Sequence, residues 1–403
     1  MEHRTAHRPA PRVTVVCPTY NRSEAIIRTI DSVRAQTVEE WELLVVSDGS
    51  DDDTEAWVAR AAREDSRVRL IRLARTGHPS GPRNAGVAEA RGAYTAYLDH
   101  DDTWYPHHLR TLLELLEGGA DLAATGCEYR DAAGGVVAGL PPLSCCWHPQ
   151  LQLMGPRFEP SRVAHRSGIV EAVGGWRTGA GLEDWDLWLR LADAGHTFAT
   201  VLEPTAALLT DGGTRRHRMP RPHRMPLVHL DDARAAHALL GELRAGRHDE
   251  TFRAACRDDM REWYARMVRD GGFVRPADWH GDLGDEIDRV VGGTGRLFEE
   301  LVLVPDGGRF ALARNLLCAR PDHARRATSL LPAVQPRQLR LLADLAERAG
   351  QAGQRERAGQ ADGTDGGARG RSGPAAGLSR SDPAFVPGRQ RGPGAGGRSA
   401  SPE

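Results

Sequence analysis

Lysine is missing from this chain of 403 residues, so arginine supplies all 53 of its strongly basic side chains. The formal net charge is −2, which gives no argument for a nucleic-acid partner or for an anionic membrane surface. Cysteine is scarce: the six residues include one adjacent pair, Cys145 and Cys146, and show no metal-binding spacing. We therefore expect reduced thiols, as in a cytoplasmic protein.

Long apolar runs are missing as well. No run of about twenty apolar residues occurs, which predicts that no helix spans a membrane. The first residues are basic but lack the apolar core of a signal peptide. These absences predict a cytoplasmic location, with peripheral attachment to the inner face of a membrane left open.

The first half of the chain alternates apolar runs with amphipathic helical patterns. Strands are predicted at 13–17, 43–47, 68–73 and 94–98, and the segments between them have helical patterns. This alternation indicates an α/β fold with a mostly parallel central sheet flanked by helices. Ligands of such sheets bind beyond the carboxyl ends of the strands, where the loops after Cys17, Val46 and Leu98 should meet.

The second half of the chain has a different character. From 228 to 350, apolar residues recur at helical spacing, which predicts a mainly α-helical C-terminal region that could also form oligomer contacts. Residues 351–403 are rich in Gly, Arg, Ser and Pro with few large apolar side chains, so they are predicted to be a disordered tail. With 1–11 as a flexible lead-in, residues 12–227 form the predicted α/β domain.

An acidic turn follows the fourth predicted strand. Asp99, Asp101 and Asp102 occupy three of four consecutive positions. Carboxylates this close repel one another unless a cation or solvent compensates. Mn²⁺ or Mg²⁺ takes oxygen ligands and binds one or two carboxylates together with substrate phosphates. A solvated acidic turn is the alternative interpretation of Asp-x-Asp taken alone.

Five segments of the chain follow one another in the order typical of one enzyme family. They are VVCPTYNR (15–22), WELLVVSDGS (41–50), GPRNAG (81–86), LDHDD (98–102) and EDWDLW (183–188). Together they resemble the inverting family 2 glycosyltransferases of the GT-A fold, over residues 12–210. The resemblance implies transfer of a sugar from a nucleotide-diphosphate sugar, most simply a UDP-sugar, to an acceptor.

The resemblance also implies where the donor binds. A divalent ion, Mn²⁺ or Mg²⁺, would be held by Asp99 and Asp101. For Asp48, a base contact and a bond to its own Asp-Gly turn both stay open. A guanidinium at Arg83 could bind a phosphate or hold the metal carboxylates in place. The predicted donor-binding residues are Pro18, Thr19, Tyr20, Asn21, Asp48, Arg83 and Asp99.

Asp184 is the candidate catalytic residue. In the family, the second acid of the motif Glu183-Asp184 resembles a general base that removes the acceptor proton, which implies inversion at the anomeric carbon. Capping of the following helix is the alternative, because acids are favoured in a first helical turn. The sequence leaves the acceptor open among a glycan, a lipid-linked precursor, a peptide and a natural product.

A rival interpretation is a non-catalytic scaffold that binds a nucleotide sugar and recruits a partner through its helical C-terminal half. The intact Asp99, Asp101 and Asp184 favour an enzyme. Two further candidates have a packing or surface alternative. Trp104 could line a sugar pocket or pack in the core, and His217 could contact the metal or diphosphate or belong to a solvated basic loop.

Overall fold

Two β-sheets with flanking helices make up the described part of the chain in this computed structural model. The structure describes residues 10–179, 181–210, 223–293, 295–316, 318 and 320–362. By its internal contacts the chain divides into a unit that ends at Arg355 and a segment Glu356–Glu403. The two sheets and the sites below belong to the first unit.

The strands are named in chain order. They are β1 Val13–Thr19, β2 Trp41–Ser47, β3 Val68–Arg72, β4 Tyr94–Tyr97, β5 Thr103–Trp104, β6 Leu122–Arg130, β7 Val136–Gly139, β8 Val163–Arg166, β9 Phe198–Leu209, β10 His223–Leu230, β11 Leu301–Asp306 and β12 Arg309–Leu316.

The α-helices are named in the same way, and two short 3₁₀ helices occur at Ser23–Ala25 and Pro160–Arg162. They are α1 Ile26–Arg34, α2 Thr54–Glu64, α3 Ser80–Ala88, α4 His108–Glu117, α5 Pro142–Cys145, α6 Pro149–Met154, α7 Ile169–Ala172, α8 Glu183–Asp193, α9 Ala233–Arg244, α10 Asp249–Asp270, α11 Leu283–Val291, α12 Pro321–Val334 and α13 Pro336–Asp362.

The larger sheet has the strand order β3-β2-β1-β4-β8-β6-β9-β5, with β7 added beside β6. Its first four strands are the four that the sequence predicts, and they are all parallel. The later strands bring antiparallel pairs, because β8 runs against both β4 and β6. The sheet is therefore mixed, and its parallel half carries the predicted donor loops.

Both faces of the parallel half are buried. Val15 and Leu43 point into one core cluster with α1 and α2, while Val16 and Leu44 point into the cluster on the opposite face. All four are fully buried, as expected for strands covered by helices on both sides. This burial explains why the strands are continuous apolar runs, and why polar residues are concentrated where the strands end.

The C-terminal half contains a second sheet that the sequence did not predict. Strands β10, β12 and β11 pair antiparallel and pack against α9 through Leu301, Leu312 and Leu239. Because β10 pairs with β12, the second sheet begins before position 227, the predicted end of the α/β domain. The rest of this half is helical, as predicted, and within the described residues no helix is long and apolar enough to cross a bilayer.

The last helix extends beyond the predicted limit of the helical region. α13 continues to Asp362, past position 350, where the predicted tail begins. Most residues of these last turns are Gln, Arg, Glu and Ala, which are good helix formers. The remaining tail, 363–403, and residues 1–9 of the lead-in lie outside the described residues.

Candidate active site

The acidic turn after β4 divides its carboxylates between the interior and the sheet edge. Asp102 is buried and accepts hydrogen bonds from the Ser161 hydroxyl and from the Leu209 N–H. Burial, together with the charges of Asp99 and Asp101, raises the pKa of Asp102 well above its ordinary value. Asp99 and Asp101 keep 33% and 34% of their side-chain surface exposed. Of the three acids, these two can meet a ligand.

Each of the two exposed carboxylates has an arginine partner. Arg83 Nη2 lies 2.7 Å from Asp99 Oδ1, and Arg22 Nη2 lies 3.0 Å from Asp101 Oδ2. The two guanidinium groups offset the repulsion between the neighbouring carboxylates. Sequence analysis assigns no role to Arg22, although it is the last residue of the motif at 15–22.

The oxygen donors at this edge fit a divalent ion that is shared with a phosphate. Among the described residues, no group of three or more His, Cys, Asp or Glu side chains could enclose a metal ion. Mg²⁺ is commonly bound by one or two protein carboxylates, with waters and substrate phosphates as the other ligands. Asp99 and Asp101 meet that requirement. His217, the third candidate from the sequence, lies outside the described residues.

His100 joins the acidic turn to the loop after β1. Its Nδ1 accepts the Tyr20 N–H at 3.3 Å and lies 3.2 Å from the Thr19 hydroxyl oxygen. Burial, with the nearby charge of Arg22, lowers the pKa of His100 to about 4. The ring is therefore neutral at pH 7 and can accept at Nδ1. The two loops thus form one hydrogen-bonded unit, as their place at one sheet edge predicts.

The predicted nucleotide loop presents two of its four residues to solvent. Pro18 and Thr19 are buried at the end of β1, whereas Tyr20 is half-buried and Asn21 is exposed. Asn21 has a φ of 48°, a left-handed conformation that Asn adopts more readily than most residues. Its side-chain oxygen accepts the Asp51 N–H at 3.1 Å, which joins the loops after β1 and β2.

Asp48 holds a neighbouring loop in place. Its carboxylate accepts the N–H groups of Thr76 (2.7 Å) and Gly77 (2.9 Å), and it pairs with the Arg75 guanidinium. The Arg75 guanidinium in turn lies 3.4 Å from the centre of the Tyr20 ring. Asp48 therefore organises the surroundings of Tyr20 rather than its own turn. A direct base contact from Asp48 stays a prediction.

Arg83 connects the acidic turn to the second acidic motif. It is 3% exposed, and its Nη1 lies 2.9 Å from Glu183 Oε1 while its Nη2 contacts Asp99. Burial alone would lower the pKa of Arg83, but the charges of Asp99 and Glu183 outweigh burial and raise it. The guanidinium also lies 4.5 Å from the centre of the Trp176 ring. Arg83 therefore contacts a carboxylate of the predicted metal motif, which is one of the two roles that the sequence left open for it.

The motif GPRNAG explains how α3 carries Arg83 to this position. The Asn84 amide donates to the Trp176 carbonyl and accepts the Trp176 N–H, both at 2.8 Å. At Gly86 a Cβ atom would overlap the Val16 side chain, so glycine lets α3 lie close against β1. The helix, the sheet and the Trp176 backbone are therefore joined next to the guanidinium.

Asp184 lies in the first turn of α8, next to Glu183. It is half-buried, and its Oδ1 accepts the N–H of Trp185 at 2.8 Å. Burial, followed by the charge of Glu183, raises the pKa of Asp184 to about 7. Within the described part of the chain Asp184 forms no ion pair, in contrast to Glu183. A carboxylate with this pKa can accept a proton near neutral pH.

Three other residues singled out in the sequence, Trp104 and the pair Cys145 and Cys146, are buried. Trp104 is 4% exposed, donates its indole N–H to the Ser161 carbonyl at 2.6 Å and stacks on the His108 ring. Trp104 therefore packs in the core, which was the alternative to lining a sugar pocket. Cys145 and Cys146 are buried free thiols.

Sequence reasoning missed some members of the site. Glu183 was considered only as the neighbour of Asp184, and its ion pair with Arg83 joins residues that are 100 positions apart. His78 lies beside the same carboxylate, with its Nε2 3.8 Å from Glu183 Oε2. The segment around His78 carries no motif, so no signal was available for it. For Arg22, its place in the motif at 15–22 was an available signal.

Comparison with known proteins finds a family that resembles the part of the chain carrying most of this site. The model of Glycosyl transferase family 2 matches residues 14–167, a span that contains the nucleotide loop, Arg83 and the acidic turn. Residues 14–167 are therefore similar to glycosyl transferase family 2. Of the site described above, Glu183 and Asp184 lie beyond this family 2 span.

Two curated relatives are similar to part of the chain. The succinoglycan biosynthesis protein ExoO of Rhizobium meliloti is 40% identical over 158 residues, 39% of this chain and 44% of the relative. The Escherichia coli UDP-Glc:alpha-D-GlcNAc-diphosphoundecaprenol beta-1,3-glucosyltransferase WfgD is 35% identical over 104 residues, 26% of this chain and 40% of the relative. The chain spans less than half the length of these two relatives.

A solved structure with partial similarity is that of TarS 1-349 from S. aureus in complex with UDP-GlcNAc. It is 16% identical, with a TM-score of 0.44, and the alignment covers 52% of this chain and 61% of TarS 1-349.

Proposed function

We propose that this chain is a glycosyltransferase that moves a sugar from a nucleotide-diphosphate sugar to an acceptor with inversion at the anomeric carbon. The donor is a UDP-sugar, a choice suggested by the relative WfgD, whose name specifies UDP-Glc. The family 2 domain and the carboxylates at the end of β4 support the class of reaction.

One observation carries this proposal: Arg83 bridges Asp99 and Glu183. It therefore joins the sheet edge with the predicted donor-binding residues, called the donor edge below, to the motif of the proposed base. The buried guanidinium would stabilise the negative charge that grows on the departing nucleotide diphosphate. Its two ion pairs hold it in place before the reaction, so little reorganisation is needed.

The proposed base is Asp184. It would accept the proton of the acceptor nucleophile while that atom attacks the anomeric carbon from the face opposite the leaving nucleotide. A single attack of this kind inverts the anomeric configuration and needs no covalent nucleophile. With a pKa of about 7, a substantial fraction of Asp184 is ionised at neutral pH. The ionised carboxylate is also basic enough to take a proton.

Asp99 and Asp101 would hold a divalent ion, Mn²⁺ or Mg²⁺. When bound, that ion would offset the charge of the donor diphosphate. Arg22 would then have to share or release Asp101, because its guanidinium occupies one oxygen of that carboxylate.

The test is a thermal-shift panel of nucleotide sugars, each with Mn²⁺ and with excess chelator, followed by a donor-hydrolysis assay. A ligand that binds only the native state raises the melting temperature by mass action. We expect a shift with at least one UDP-sugar that disappears with chelator, together with slow release of UDP. No shift with any nucleotide sugar contradicts the proposal, whereas a shift without turnover in the presence of a sugar acceptor would favour a binding scaffold.

A further inference from the structure

Helix α8, which carries Asp184, begins directly after a residue with a strained backbone. Leu182 has φ 59° and ψ 35°, which is the left-handed region that glycine enters freely and a leucine only at a cost. Among the described residues, Asn21 and Ser23 are the only other non-glycine residues with positive φ. Such a conformation persists only where the surrounding contacts outweigh its cost, and it often marks a functional site.

The contacts around Leu182 come partly from the C-terminal half of the chain. Leu182 is 8% exposed and belongs to a buried cluster with Trp185 and Leu189 of α8, Leu153 of α6 and Ala327 of α12. Leu182, Trp185 and Leu189 recur at spacings of three and four positions and therefore lie on one face. That face packs against α12, which lies beyond the residues that are similar to family 2.

Polar contacts also join α12 to α8. At the last turn of α8, Arg326 donates two hydrogen bonds to Asp193, from Nη1 to Oδ2 at 2.9 Å and from Nη2 to Oδ1 at 2.8 Å. At the first turn, the Nε2 atom of His323, a residue that is 3% exposed, lies 3.9 Å from Asp186 Oδ1. A bidentate arginine pair fixes the geometry of its partner more closely than a single hydrogen bond does. Helix α12 therefore contacts α8 at both ends.

The same helix is attached to the surroundings of Arg83. The Arg190 guanidinium of α8 donates to the carbonyls of Val173 at 2.6 Å and Gly175 at 2.7 Å. Gly175 directly precedes Trp176, whose backbone is bonded to α3, the helix that carries Arg83. The position of α8 therefore depends on two sets of contacts, one with α3 through this loop and one with α12.

We propose that α12 is a positioning element for the proposed base, with Ala327 and Arg326 as its positioning residues. Ala327 packs in the same buried cluster as Leu182, and Arg326 holds the other end of α8. Together they fix the start of α8 and thereby the orientation of Asp184. Without these contacts the strained backbone at Leu182 would relax and turn the acid that follows it. The inference rests on the proposed function, because it gives α12 this task in the reaction at Asp184.

Ala327 offers a direct test. Its side chain is 6% exposed in the cluster between α8 and α12, so Ala327→Leu should overpack the cluster and displace α12 from α8. Ala333→Leu is the matched control, because Ala333 is exposed on the same helix. Both variants add the same atoms to α12, but only the first variant adds them against α8.

Amide hydrogen exchange over residues 183–188 measures how firmly the start of α8 is held. We expect exchange in Ala327→Leu to be faster than in the unaltered chain by about threefold or more. Release of UDP from a UDP-sugar with Mn²⁺ measures turnover, and kcat should fall by about fivefold or more, because a small misplacement of a reacting group lowers the rate strongly. The donor KM should stay unchanged, and Ala333→Leu should match the unaltered chain in all three quantities.

The ion pair supplies a second test that adds no bulk to the cluster. Arg326→Asp places two carboxylates against each other and should lower kcat in the same way. Arg325→Asp is its control, because Arg325 is exposed on the same helix. Combining Arg326→Asp with Asp193→Arg restores the pair with its charges exchanged, and kcat should return to within about twofold of the unaltered chain. A donor titration counts the folded sites in each protein and corrects kcat for any unfolded chain.

Equal exchange and equal kcat in Ala327→Leu and Ala333→Leu overturn the proposal, and so does a low kcat in Arg326→Asp that the exchanged charges fail to restore. Faster exchange with an unchanged kcat also overturns it, because α12 would then support the fold without orienting Asp184. A lack of UDP release by the unaltered chain contradicts the proposed function instead. Hydrogen exchange needs no turnover and still decides whether α12 holds the start of α8, so the two failures are distinguishable.

Discussion

The carboxylates at the donor edge and the carboxylate of Asp184 differ in whether an arginine pairs with them. At the donor edge every predicted carboxylate has an arginine partner: Asp48 has Arg75, Asp99 has Arg83, and Asp101 has Arg22. Asp184 is half-buried beside Glu183 and, among the described residues, has no such partner. The arginine partners compensate the negative charges at the donor edge, whereas burial and the charge of Glu183 raise the pKa of Asp184.

This difference assigns separate tasks to acids that look alike in the sequence. The motif at 98–102 and the motif at 183–188 both contain adjacent acids, and each contributes one that serves another residue. Asp102 holds Ser161 and the backbone of Leu209, and Glu183 holds Arg83. Asp186 pairs with Arg190 on the same helix. The other three acids, Asp99, Asp101 and Asp184, are the ones that we expect to meet metal or substrate.

The sharpest test of the donor edge is Asp101→Ala. We expect it to abolish the Mn²⁺-dependent thermal shift with a UDP-sugar, because a single carboxylate would then be left for the ion. The fold should survive, since Asp101 is partly exposed at a strand end. The measurement is the thermal shift with and without Mn²⁺, alongside the circular dichroism spectrum. Full Mn²⁺-dependent binding by the variant would show that the ion binds elsewhere.

Asp184→Asn tests the other side of the comparison. We expect kcat for transfer to fall by about two orders of magnitude or more, the typical contribution of a positioned base. The KM for the donor should stay unchanged, because proton removal matters only in the transition state. Steady-state kinetics on both proteins gives the answer. Weaker donor binding with an unchanged kcat would give Asp184 a binding role instead.

Glu183→Gln is the matched variant for that experiment. It keeps the shape of the side chain but removes one of the two charges that hold Arg83. We expect a raised donor KM together with a lower melting temperature, because a buried guanidinium loses half of its compensation. If Glu183→Gln abolishes turnover while Asp184→Asn has no effect, the two acids have been assigned the wrong way round.

The pH dependence of kcat/KM and of stability in the unaltered chain should reflect the unpaired state of Asp184. Its pKa of about 7 lies above the ordinary value for Asp, so kcat/KM should rise with pH through about 7 as the base ionises. Stability should change in the opposite direction. The raised pKa favours the folded state at low pH, and that contribution is lost as pH rises toward 7.

Asp184→Asn should remove both effects. We expect its melting temperature to exceed that of the unaltered chain by a few degrees at pH 8, and by less at pH 4, where the unaltered Asp184 is protonated. Melting curves at the two pH values measure this difference. An Asn variant that is equally destabilised at both pH values would mean that Asp184 supports the fold, and the pKa argument would fail.

The sequence was informative where structure is local. The four parallel strands follow from apolar runs between helical patterns, and the donor loops meet because parallel strands end at one edge. The hairpin of β11 and β12 also had a local signal, because Gly307 and Gly308 form a two-residue turn with positive φ. Helical spacing in the surrounding segments concealed that signal.

What sequence could not supply depends on contacts between distant positions. The inward orientation of Asp102 follows from Ser161 and Leu209, which lie far along the chain, and no motif marks either residue as its partner. The bond from the Trp263 indole on α10 to the Gln150 side chain on α6 joins residues that are 113 positions apart, so periodicity marks Trp263 only as a core residue. Such pairs become visible only when the chain is folded.

The smallest effect that we expect comes from Arg22→Gln. The Arg22–Asp101 pair is partly exposed on both sides, so its loss should change the melting temperature little. The same guanidinium competes with a cation for Asp101. Removing its charge should strengthen Mn²⁺ binding in the absence of donor by about three- to tenfold, the effect of one unit charge a few ångströms away in a largely aqueous setting.

Electron paramagnetic resonance of free Mn²⁺ during a titration measures this affinity, with Arg60→Gln, a variant in an exposed helical ion pair, as the control. A weaker Mn²⁺ affinity in Arg22→Gln would mean that the arginine orients Asp101 for the ion instead of competing with it, and the pairing at the donor edge would then be part of the metal site.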